Sequence, residues 1–219
     1  EDGGGIYLLT GATASLVHVT MANNTAGWEG NGMYMPPCAG GNSTNIYISN
    51  SILYGHNGED IFGDNGWCGS INITYSNISN FMGEGNISGD PLFVDPELNN
   101  YDLQPESPCI NAGSNYVDYN LDGLMDEVVD YIGSAPDMGA FESPYSGSTL
   151  YVSVDGSDSG DGSIDNPSPW ISATLNMAED GDVILVAPGT YYENIYWPST
   201  NGIQLISQGG MDNTIIDAM

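Results

Sequence analysis

Short β-prone segments recur along the first part of the sequence at nearly regular intervals. Residues 46–53 align with residues 71–78, 25 positions later. Such periods are the signature of repeat architectures, in which a unit buries its apolar face only by stacking against its neighbours. A second series, at spacings of 27 and 28, consists of Gly5-Ile-Tyr7, Gly32-Met-Tyr34 and Asp60-Ile-Phe62.

Each repeated unit has the pattern of a strand that ends in a turn. Apolar residues alternate, as in Ile46-Tyr-Ile48, and Asn, Gly and Ser follow them. Residues 14–21 are a weaker copy, 32 positions before residues 46–53. Two columns of strands with a period near 25 predict the coils of an all-β fold, a parallel β-helix or solenoid.

The second part of the sequence repeats the theme at a shorter period. Ile184-Leu-Val186 and Gln204-Leu-Ile206 lie 20 positions apart. Tyr192-Glu-Asn-Ile195 precedes Thr214-Ile-Ile216 by a similar step. These segments predict further coils of the same kind.

One short helix is expected ahead of these coils, at about residues 169–180. Ser168 is placed to cap it and Gly181 to end it. Ile171, Leu175 and Ala178 would share one apolar face. Such a helix would cap the open end of a β-helix.

The charge of the chain excludes whole classes of function. None of the 219 residues is Lys or Arg and 29 are Asp or Glu, so the formal charge is −29. Nucleic acid is excluded as a direct partner, because phosphate binding needs basic side chains to displace counterions. No apolar stretch approaches the ~18 residues of a membrane span. A divalent cation such as Ca²⁺ is the natural counter-charge, and an acidic surface adapted to salt is the alternative.

Two groups of longer motifs stand in the sequence, one in residues 89–96, 101–113 and 137–142 and the other in residues 150–162 and 181–191. They resemble, respectively, the closing and the opening segments of the secreted bacterial right-handed parallel β-helix proteins often labelled choice-of-anchor proteins. The resemblance implies a right-handed β-helix and an extracellular, secreted or cell-surface setting. It implies no single activity, because the family is functionally mixed.

The two signatures stand in permuted order. We therefore expect residues 1–143 to be tail coils and a closing segment, 144–149 a linker, and 150–219 the capping helix and opening coils. Either the chain is a segment of a larger protein, or it is a subunit that stacks head to tail with copies of itself into a filament. Stacking would bury four apolar residues at the two ends: Ile6, Leu8, Ile206 and Ile216.

The best local motif is a calcium-type loop in residues 118–130. Oxygen donors stand at its positions 1, 3, 5 and 9, with Gly123 at position 6 for the sharp turn. Val129 occupies position 12, where an EF-hand has Glu, so the loop resembles the looser calcium loops of extracellular repeats. A plain acidic turn is the alternative, and Asp155, Asp158 and Asp161 form a weaker candidate. The expected metal ligands are Asp118, Asn120, Asp122, Leu124, Asp126 and Asp130.

Two kinds of covalent modification are also expected. Cys38 and Cys68 lie in Gly-rich segments and can form a disulfide, whereas Cys109 reads as a small buried residue. The candidate glycosylation sites are Asn23, Asn42, Asn72, Asn77 and Asn86, each in an Asn-x-Ser/Thr sequon.

The sequence offers no strong catalytic motif. The segment 55–60, with Asp64 nearby, faintly resembles the acidic site of pectin-hydrolysing β-helix enzymes, but nothing basic is present to hold an acidic sugar. His18, between two valines, reads as a structural or surface residue. Trp28, Tyr34 and Trp67 would either stack on sugars or on one another along the coils.

We therefore predict a non-enzymatic extracellular module of a filament or repetitive surface protein, with copies of itself as partners. The alternative is a carbohydrate-binding or neutral-glycan-hydrolysing β-helix. A third possibility is a segment of an adhesin.

Overall fold

The computed structural model describes residues 4–37, 41–63, 69–145, 147–210 and 213–218. In these residues the chain is mostly β-structure with one α-helix. It divides into two compact units, Glu1–Pro144 (unit 1) and Tyr145–Met219 (unit 2). Residue 149 begins the first strand of unit 2.

Unit 1 opens with short strands that follow one another in sets of three. Each contains two to five residues, which suits a chain whose apolar runs are short and broken by turns. They are β1 (Ile6–Tyr7), β2 (Thr13–Val17), β3 (Thr20–Ala22), β4 (Met33–Tyr34), β5 (Asn45–Ser49), β6 (Ile52–Tyr54), β7 (Ile61–Phe62), β8 (Ser70–Thr74) and β9 (Asn77–Ile78).

These strands form three parallel sheets. Sheet A contains β1, β4 and β7, sheet B contains β2, β5 and β8, and sheet C contains β3, β6 and β9. The chain visits sheets A, B and C in turn, three times over, an order that fits a solenoid. Met33 pairs with both Ile6 and Ile61, which confirms the spacings of 27 and 28. Ile46 pairs with both Ala14 and Ile71, which confirms the steps of 32 and 25.

The sequence predicts two columns of strands, but the structure has three, because each longer run bends at a corner between sheets B and C. His18, Asn50 and Tyr75 occupy this corner in successive turns, with φ of 53°, 48° and 47°. That left-handed conformation redirects the chain and shifts the alternation of side chains by one position, because Ile46 and Leu53 both face the core although they are seven positions apart. The match of residues 46–53 to residues 71–78 continues through the corner, so an alignment of the repeats reads the two strands as one.

The interior of unit 1 combines an apolar core with buried hydroxyl groups. Ile46, Ile48 and Leu53 of the middle turn are almost completely buried, and apolar residues of the turns on either side pack against them. At the corner, the Val19 N–H donates to Ser51 Oγ and the Ser51 N–H to Ser76 Oγ, both at 3.1 Å. These hydroxyls satisfy backbone groups that the bend takes out of the sheets.

The closing segment covers the outer face of sheet C. Phe93, Leu103, Cys109 and Met138 pack on Ile52 in a separate apolar cluster. Strands β10 and β11 pair antiparallel, as do β12 and β13. The elements are β10 (Phe93–Asp95), a 3₁₀ helix (Pro96–Leu98), β11 (Asn100–Leu103), β12 (Tyr116–Val117) and β13 (Asp126–Glu127).

Unit 2 contains two parallel sheets, β14–β15–β17 and β16–β18. Ile184 pairs with Leu205, a step of 21, so the predicted step of 20 is wrong by one position. Tyr192 pairs with Asp217, 25 positions later, and not with Thr214. Interior-facing side chains must stay in one column, because a shift of one residue would turn them outward. The strands are β14 (Thr149–Val152), β15 (Val183–Val186), β16 (Gly189–Tyr192), β17 (Gln204–Ser207) and β18 (Thr214–Asp217).

The helix α1 (Ile171–Met177) is shorter than predicted, and its cap is a different residue. Ser168 Oγ accepts the Trp170 N–H at 3.2 Å, a local turn that leaves Trp170 extended and delays the helix. The first helical N–H groups, of Ile171 and Ser172, donate instead to the Glu193 carboxylate at 2.8 and 2.9 Å. The predicted apolar face is confirmed, since its three residues belong to the core of unit 2.

Candidate functional site

A groove of about 470 Å³ lies between the outer face of sheet B and the loop that joins β12 to β13. Ser15, Tyr47 and Asn72 contribute its floor, one from each strand of the sheet. Tyr116 and Met125 belong to the opposite wall. The groove therefore has a rigid sheet on one side and a loop of the closing segment on the other.

The outer face of sheet B carries no charged side chain. Because side chains alternate along a strand, the first, third and fifth residues of β2, β5 and β8 lie on this face. Residues at the same position in the three strands lie side by side and form columns across the sheet. Seven of these residues are neutral hydroxyl or amide residues, and the other two are Val17 and Tyr47. The columns are Thr13–Asn45–Ser70, Ser15–Tyr47–Asn72 and Val17–Ser49–Thr74.

Two side-chain hydrogen bonds orient part of this face. Ser70 Oγ donates to Asn45 Oδ1 of the neighbouring strand at 2.9 Å, and within β8 Asn72 Nδ2 donates to Ser70 Oγ at 3.4 Å. The amide oxygen of Asn72 therefore points away from this bond. A surface of this kind offers a ligand fixed donors and acceptors without a net charge.

The predicted calcium loop forms the roof of the groove. Asp118 accepts the Asp122 N–H at 3.1 Å and the Gly123 N–H at 2.8 Å, through different oxygens. Asn120 also accepts the Asp122 N–H, at 3.0 Å. These bonds close a tight turn, which is the local geometry that the positions of the acidic and glycine residues predict.

The remaining predicted ligands are spread more widely. Asp126 lies in β13, Leu124 is exposed beside it, and Asp130 lines a different pocket. Among the described residues, no three Asp, Glu, His or Cys side chains form a group that could hold a metal ion. Asn and backbone oxygens are further donors, and the calcium site stays a prediction.

A smaller pocket, of about 350 Å³, lies beside the corner of the first turn. His18, Asp130 and Glu142 are among its lining residues. Burial lowers the pKa of His18 and raises the pKa of Glu142. Glu142 already accepts the backbone N–H groups of Ile132 and Asp137, at 3.0 and 3.1 Å, so its carboxylate supports the closing segment.

In the segment around His56, which faintly resembles a catalytic site in sequence, the side chains of His56 and Asp60 bond to groups of the protein itself. His56 Nδ1 accepts the Asn24 N–H at 3.0 Å, while its Nε2 is buried without a hydrogen-bond partner. Burial is the main cause that lowers the pKa of His56, and the charge of Asp60 partly offsets it. The Asp60 carboxylate is itself buried and accepts both the N–H and the hydroxyl of Ser79. Asp64 lies outside the described residues.

Buried carboxylates are paired with backbone N–H groups, a feature that the sequence did not reveal. Asp137 accepts the Asn111 and Ser143 N–H groups at 2.8 and 2.7 Å. Asp182 accepts those of Ser148 and Glu179, both at 2.7 Å, and Glu193 caps α1 in the same way. Since the chain has no Lys or Arg, backbone dipoles take the role of the cationic partner.

The structure separates the candidate glycosylation sites. Asn77 is 1% exposed and its amide donates to Cys109 Sγ at 3.2 Å, so the prediction of a glycan at Asn77 is wrong. Asn86 is half-buried, and its amide bonds to the Ser76 N–H and to the Ile73 carbonyl. The sequons that remain exposed are Asn23, Asn42 and Asn72.

Two of the three cysteines, Cys38 and Cys68, lie outside the described residues, so the predicted disulfide stays a prediction. Cys109 is free and fully buried, as expected for a core residue, and burial raises the pKa of its thiol.

The exposed aromatic residues divide into two groups. Tyr34 stacks between Tyr7 and Phe62, with ring centroids 4.9 and 5.6 Å apart, so it follows the coil-stacking alternative. Trp28 is 82% exposed. Trp67 lies outside the described residues.

The four predicted assembly residues differ in exposure. Leu8 is already buried within unit 1, and Ile6 and Ile206 are partly buried. Ile216 is 44% exposed, and the adjacent Ile215 is 52% exposed. Ile216 is therefore the most exposed of the four predicted residues.

Comparisons with known proteins show no family for this chain. No protein-family profile and no curated protein matches the sequence. A solved structure of a PL6 family alginate lyase, an arginine-to-alanine variant, is similar at 16% identity and a TM-score of 0.24. The alignment covers 92% of this chain and 26% of that enzyme. Within the described residues, no helix is long and apolar enough to cross a membrane.

Proposed function

We propose that this chain is a structural module of an extracellular right-handed parallel β-helix, which stacks head to tail with further copies of itself. The observation that carries the proposal is a match between two strand edges, one in each unit. The edge of β2 and the edge of β17 have complementary hydrogen-bond polarity and the same inward-facing pattern.

The first turn of unit 1 has one edge that no described strand covers. The Ala12 carbonyl and the His18 N–H both bond to β5, so the even positions of β2 point towards the second turn. Backbone groups alternate along a strand, and the odd positions Thr13, Ser15 and Val17 therefore point the other way. These odd positions are also the ones whose side chains face outward.

No described strand covers the opposite edge of the last turn of unit 2. The N–H groups of Gln204 and Gln208 bond back to the preceding turn, through the carbonyls of Asp182 and Val186. The odd positions Leu205 and Ser207 of β17 therefore point away from unit 2. Leu205 packs against the core of unit 2, so the backbone groups on this edge belong to inward-facing positions.

These two edges fit in one register. Placing Leu205 beside Ala14 keeps both side chains inside the solenoid. It also directs the Leu205 N–H to the Thr13 carbonyl and the Ser15 N–H to the Leu205 carbonyl. The same pattern joins consecutive turns within each unit. Ile216 of β18 would then lie beside Met21 of β3.

The inward-facing residues follow one another in a similar way in the two units. Ala14 and Met21 are seven positions apart, as are Ile46 and Leu53 in the next turn. In unit 2, Ile184 and Tyr191 are also seven positions apart, and both are buried in its core. The last turn of unit 2 has four further positions between Leu205 and Ile216, yet these residues still pair with Ile184 and Tyr191, so the longer loop leaves the two sheets in register. Turns whose strands reach the two sheets at the same places can stack.

Electrostatic repulsion opposes this assembly. Two subunits that each carry a formal charge of −29 repel each other at low ionic strength, and salt screens this over about 8 Å at 0.15 M. Burial of Ile216 and the new backbone hydrogen bonds favour contact. We therefore expect assembly to increase with salt and with divalent cations.

Two substitutions test the proposal from opposite ends. Ser15→Pro removes the donor of β2 that faces the free edge, while Ser15→Thr keeps it and is the matched control. Ile216→Asp places a charge on the exposed face of β18. Light scattering and electron microscopy should show filaments for the wild type and Ser15→Thr at high salt, and monomers for either blocked variant.

A mixture of the two blocked variants gives the sharpest result. Each retains one functional end, so Ser15→Pro and Ile216→Asp together should form a dimer and stop there. Dimers formed by either blocked variant alone would contradict head-to-tail stacking. A wild type that remains monomeric at high salt and high calcium would contradict assembly altogether.

The extracellular setting and a calcium requirement belong to the same proposal. The resemblance to choice-of-anchor β-helix proteins supports secretion, and the exposed sequons are compatible with it. The turn formed by Asp118, Asn120 and Asp122 supports calcium, which would also reduce the repulsion between subunits.

A further inference from the structure

We propose that the groove over sheet B binds a neutral oligosaccharide. This site differs from the strand edges described above, since it lies on the outer face of sheet B, under the loop of the closing segment. Ser15 belongs to both: its backbone lies at the edge of β2 and its side chain lines the groove. Its volume of about 470 Å³ falls within the range of about 300–1,000 Å³ that is typical of ligand pockets.

The chemistry of the floor favours a polyhydroxylated ligand. Ser15, Asn72 and Thr74 present hydroxyl and amide groups along the groove. The strands hold them in rows about 4.8 Å apart. Such rows can exchange hydrogen bonds with successive sugar hydroxyls, because hydroxyl and amide groups both donate and accept.

The floor and the opposite wall of the groove both supply apolar contact. Tyr47 and Tyr116 line the groove from the sheet and from the hairpin, and Leu121 and Met125 add aliphatic surface on the hairpin side. Tyrosine provides a large, rigid contact area together with a hydroxyl. This combination suits a sugar ring, which has an apolar face and a polar edge.

Charge restricts the ligand to neutral saccharides. No Lys or Arg exists in the chain to bind an acidic sugar. The outer face of sheet B is uncharged, although 29 residues of the chain are acidic. Asp118 is the acidic residue that lines the groove, and both of its oxygens accept backbone N–H groups of the loop. Its charge would repel an anionic chain.

The groove is also preorganised. Its floor is a three-stranded sheet with a continuous register. Val117 and Val128, at the two ends of the hairpin, are buried, and they anchor the wall that faces the sheet. A preformed site loses little conformational entropy on binding, which favours affinity for a short ligand.

Isothermal titration of the full chain tests this site. The probes are cellohexaose, mannohexaose and xylohexaose, with oligogalacturonate as the anionic comparison. The Ile216→Asp background keeps the protein from stacking and leaves the groove unchanged. At least one neutral hexasaccharide should bind, and the anionic oligomer should not.

Substitutions then locate the site. Tyr47→Ala and Asn72→Ala should each weaken binding about ten-fold, because each removes a contact of about 1.4 kcal/mol. Trp28→Ala is the matched control, since it removes an exposed aromatic ring outside the groove and should leave the dissociation constant unchanged. Circular dichroism and thermal melting exclude loss of fold as the cause.

Three results would overturn the proposal. One is the absence of binding for all three neutral probes at millimolar concentration. Another is equal loss of binding in Trp28→Ala and Tyr47→Ala. The third is a change of oligomeric state in Tyr47→Ala without an effect on saccharide binding, which would identify the groove as a protein interface.

Discussion

Asn50 and Ser114 are joined by two hydrogen bonds, although 64 positions separate them. Asn50 Nδ2 donates to the Ser114 carbonyl at 2.8 Å, and the Ser114 N–H donates to Asn50 Oδ1 at 2.7 Å. The side-chain amide thus pairs with the backbone as another strand would. The Asn50 carbonyl accepts a third bond, from the Gly139 N–H at 2.9 Å. One corner residue therefore holds the closing segment at two places.

Replacing Asn50 with alanine should destabilise unit 1 strongly. The change leaves the backbone groups of Ser114 unpaired and places alanine at a φ of 48°, which asparagine tolerates better. We expect a loss of about 2–4 kcal/mol in the free energy of unfolding. Chemical denaturation measures it.

Asn42→Ala is the control for this experiment, because Asn42 is exposed. It should change the free energy of unfolding by less than about 0.5 kcal/mol. Equal stability of the Asn50 and Asn42 variants would show that the amide pair contributes nothing to the closing segment.

A second prediction concerns the carboxylate that caps α1. Glu193→Ala removes the acceptor of the first two helical N–H groups, and we expect a loss of about 1–3 kcal/mol. Glu193→Gln keeps one acceptor and should lose less. Glu179→Gln, on an exposed acid beyond the helix, should have almost no effect. Thermal unfolding followed by far-ultraviolet circular dichroism ranks the three variants.

The fold could be predicted from the sequence where apolar residues recur at a fixed interval. The pairs Met33–Ile61 and Ile46–Ile71 follow directly from the repeats, because side chains that share a core column must be apolar. The corner at Asn50 was missed because the repeat continues through it unchanged, although the polar run Ser49-Asn-Ser51 and the odd spacing of Ile48 and Leu53 mark it in the sequence. The Glu193 cap was missed because its partners lie 21 and 22 positions away.

The candidate site could be predicted only in part, because some of its residues are neighbours in the sequence and others are distant. The turn around Asp118 is local, and its spacing predicts it. The groove combines Tyr47 with Tyr116, which are distant in sequence and brought together when the closing segment folds back. Residue type alone left two roles open for Trp28 and Tyr34, sugar contact and stacking along the coils, and Tyr34 takes the second role along sheet A.

The pH dependence of stability should carry a contribution from His56. Burial lowers the pKa of His56 below its ordinary value of 6.5, so the unfolded chain takes up a proton more readily than the folded one. Stability from this group is complete above about pH 6.5 and is lost as the pH falls from there through the lowered pKa. Protonation would also place a hydrogen on Nδ1, which accepts the Asn24 N–H.

A comparison of variants is needed, because Glu142 contributes to the pH dependence with the opposite sign. Burial raises the pKa of Glu142, so its protonation stabilises the fold as the pH falls. The melting temperature of the wild type should therefore be compared with that of His56→Gln between pH 8 and pH 5. The variant should lose less stability over this range. Parallel curves for the two proteins would contradict a role for His56.

Calcium should stabilise the loop that roofs the groove. Binding to the folded state alone adds about 2.7 kcal/mol to the free energy of unfolding at a concentration 100 times the dissociation constant, so the melting temperature should rise in calcium chloride and fall in chelator.

Asp126→Asn removes a predicted calcium ligand without changing the hydrogen bonds that Asp118 makes within the turn. It should reduce the calcium response, whereas Asp158→Asn, in the weaker acidic turn of unit 2, should leave it unchanged. If wild-type melting curves coincide in calcium and in excess chelator, the loop is an acidic turn closed by its own hydrogen bonds. The counter-ions of the chain would then have to come from the surrounding salt.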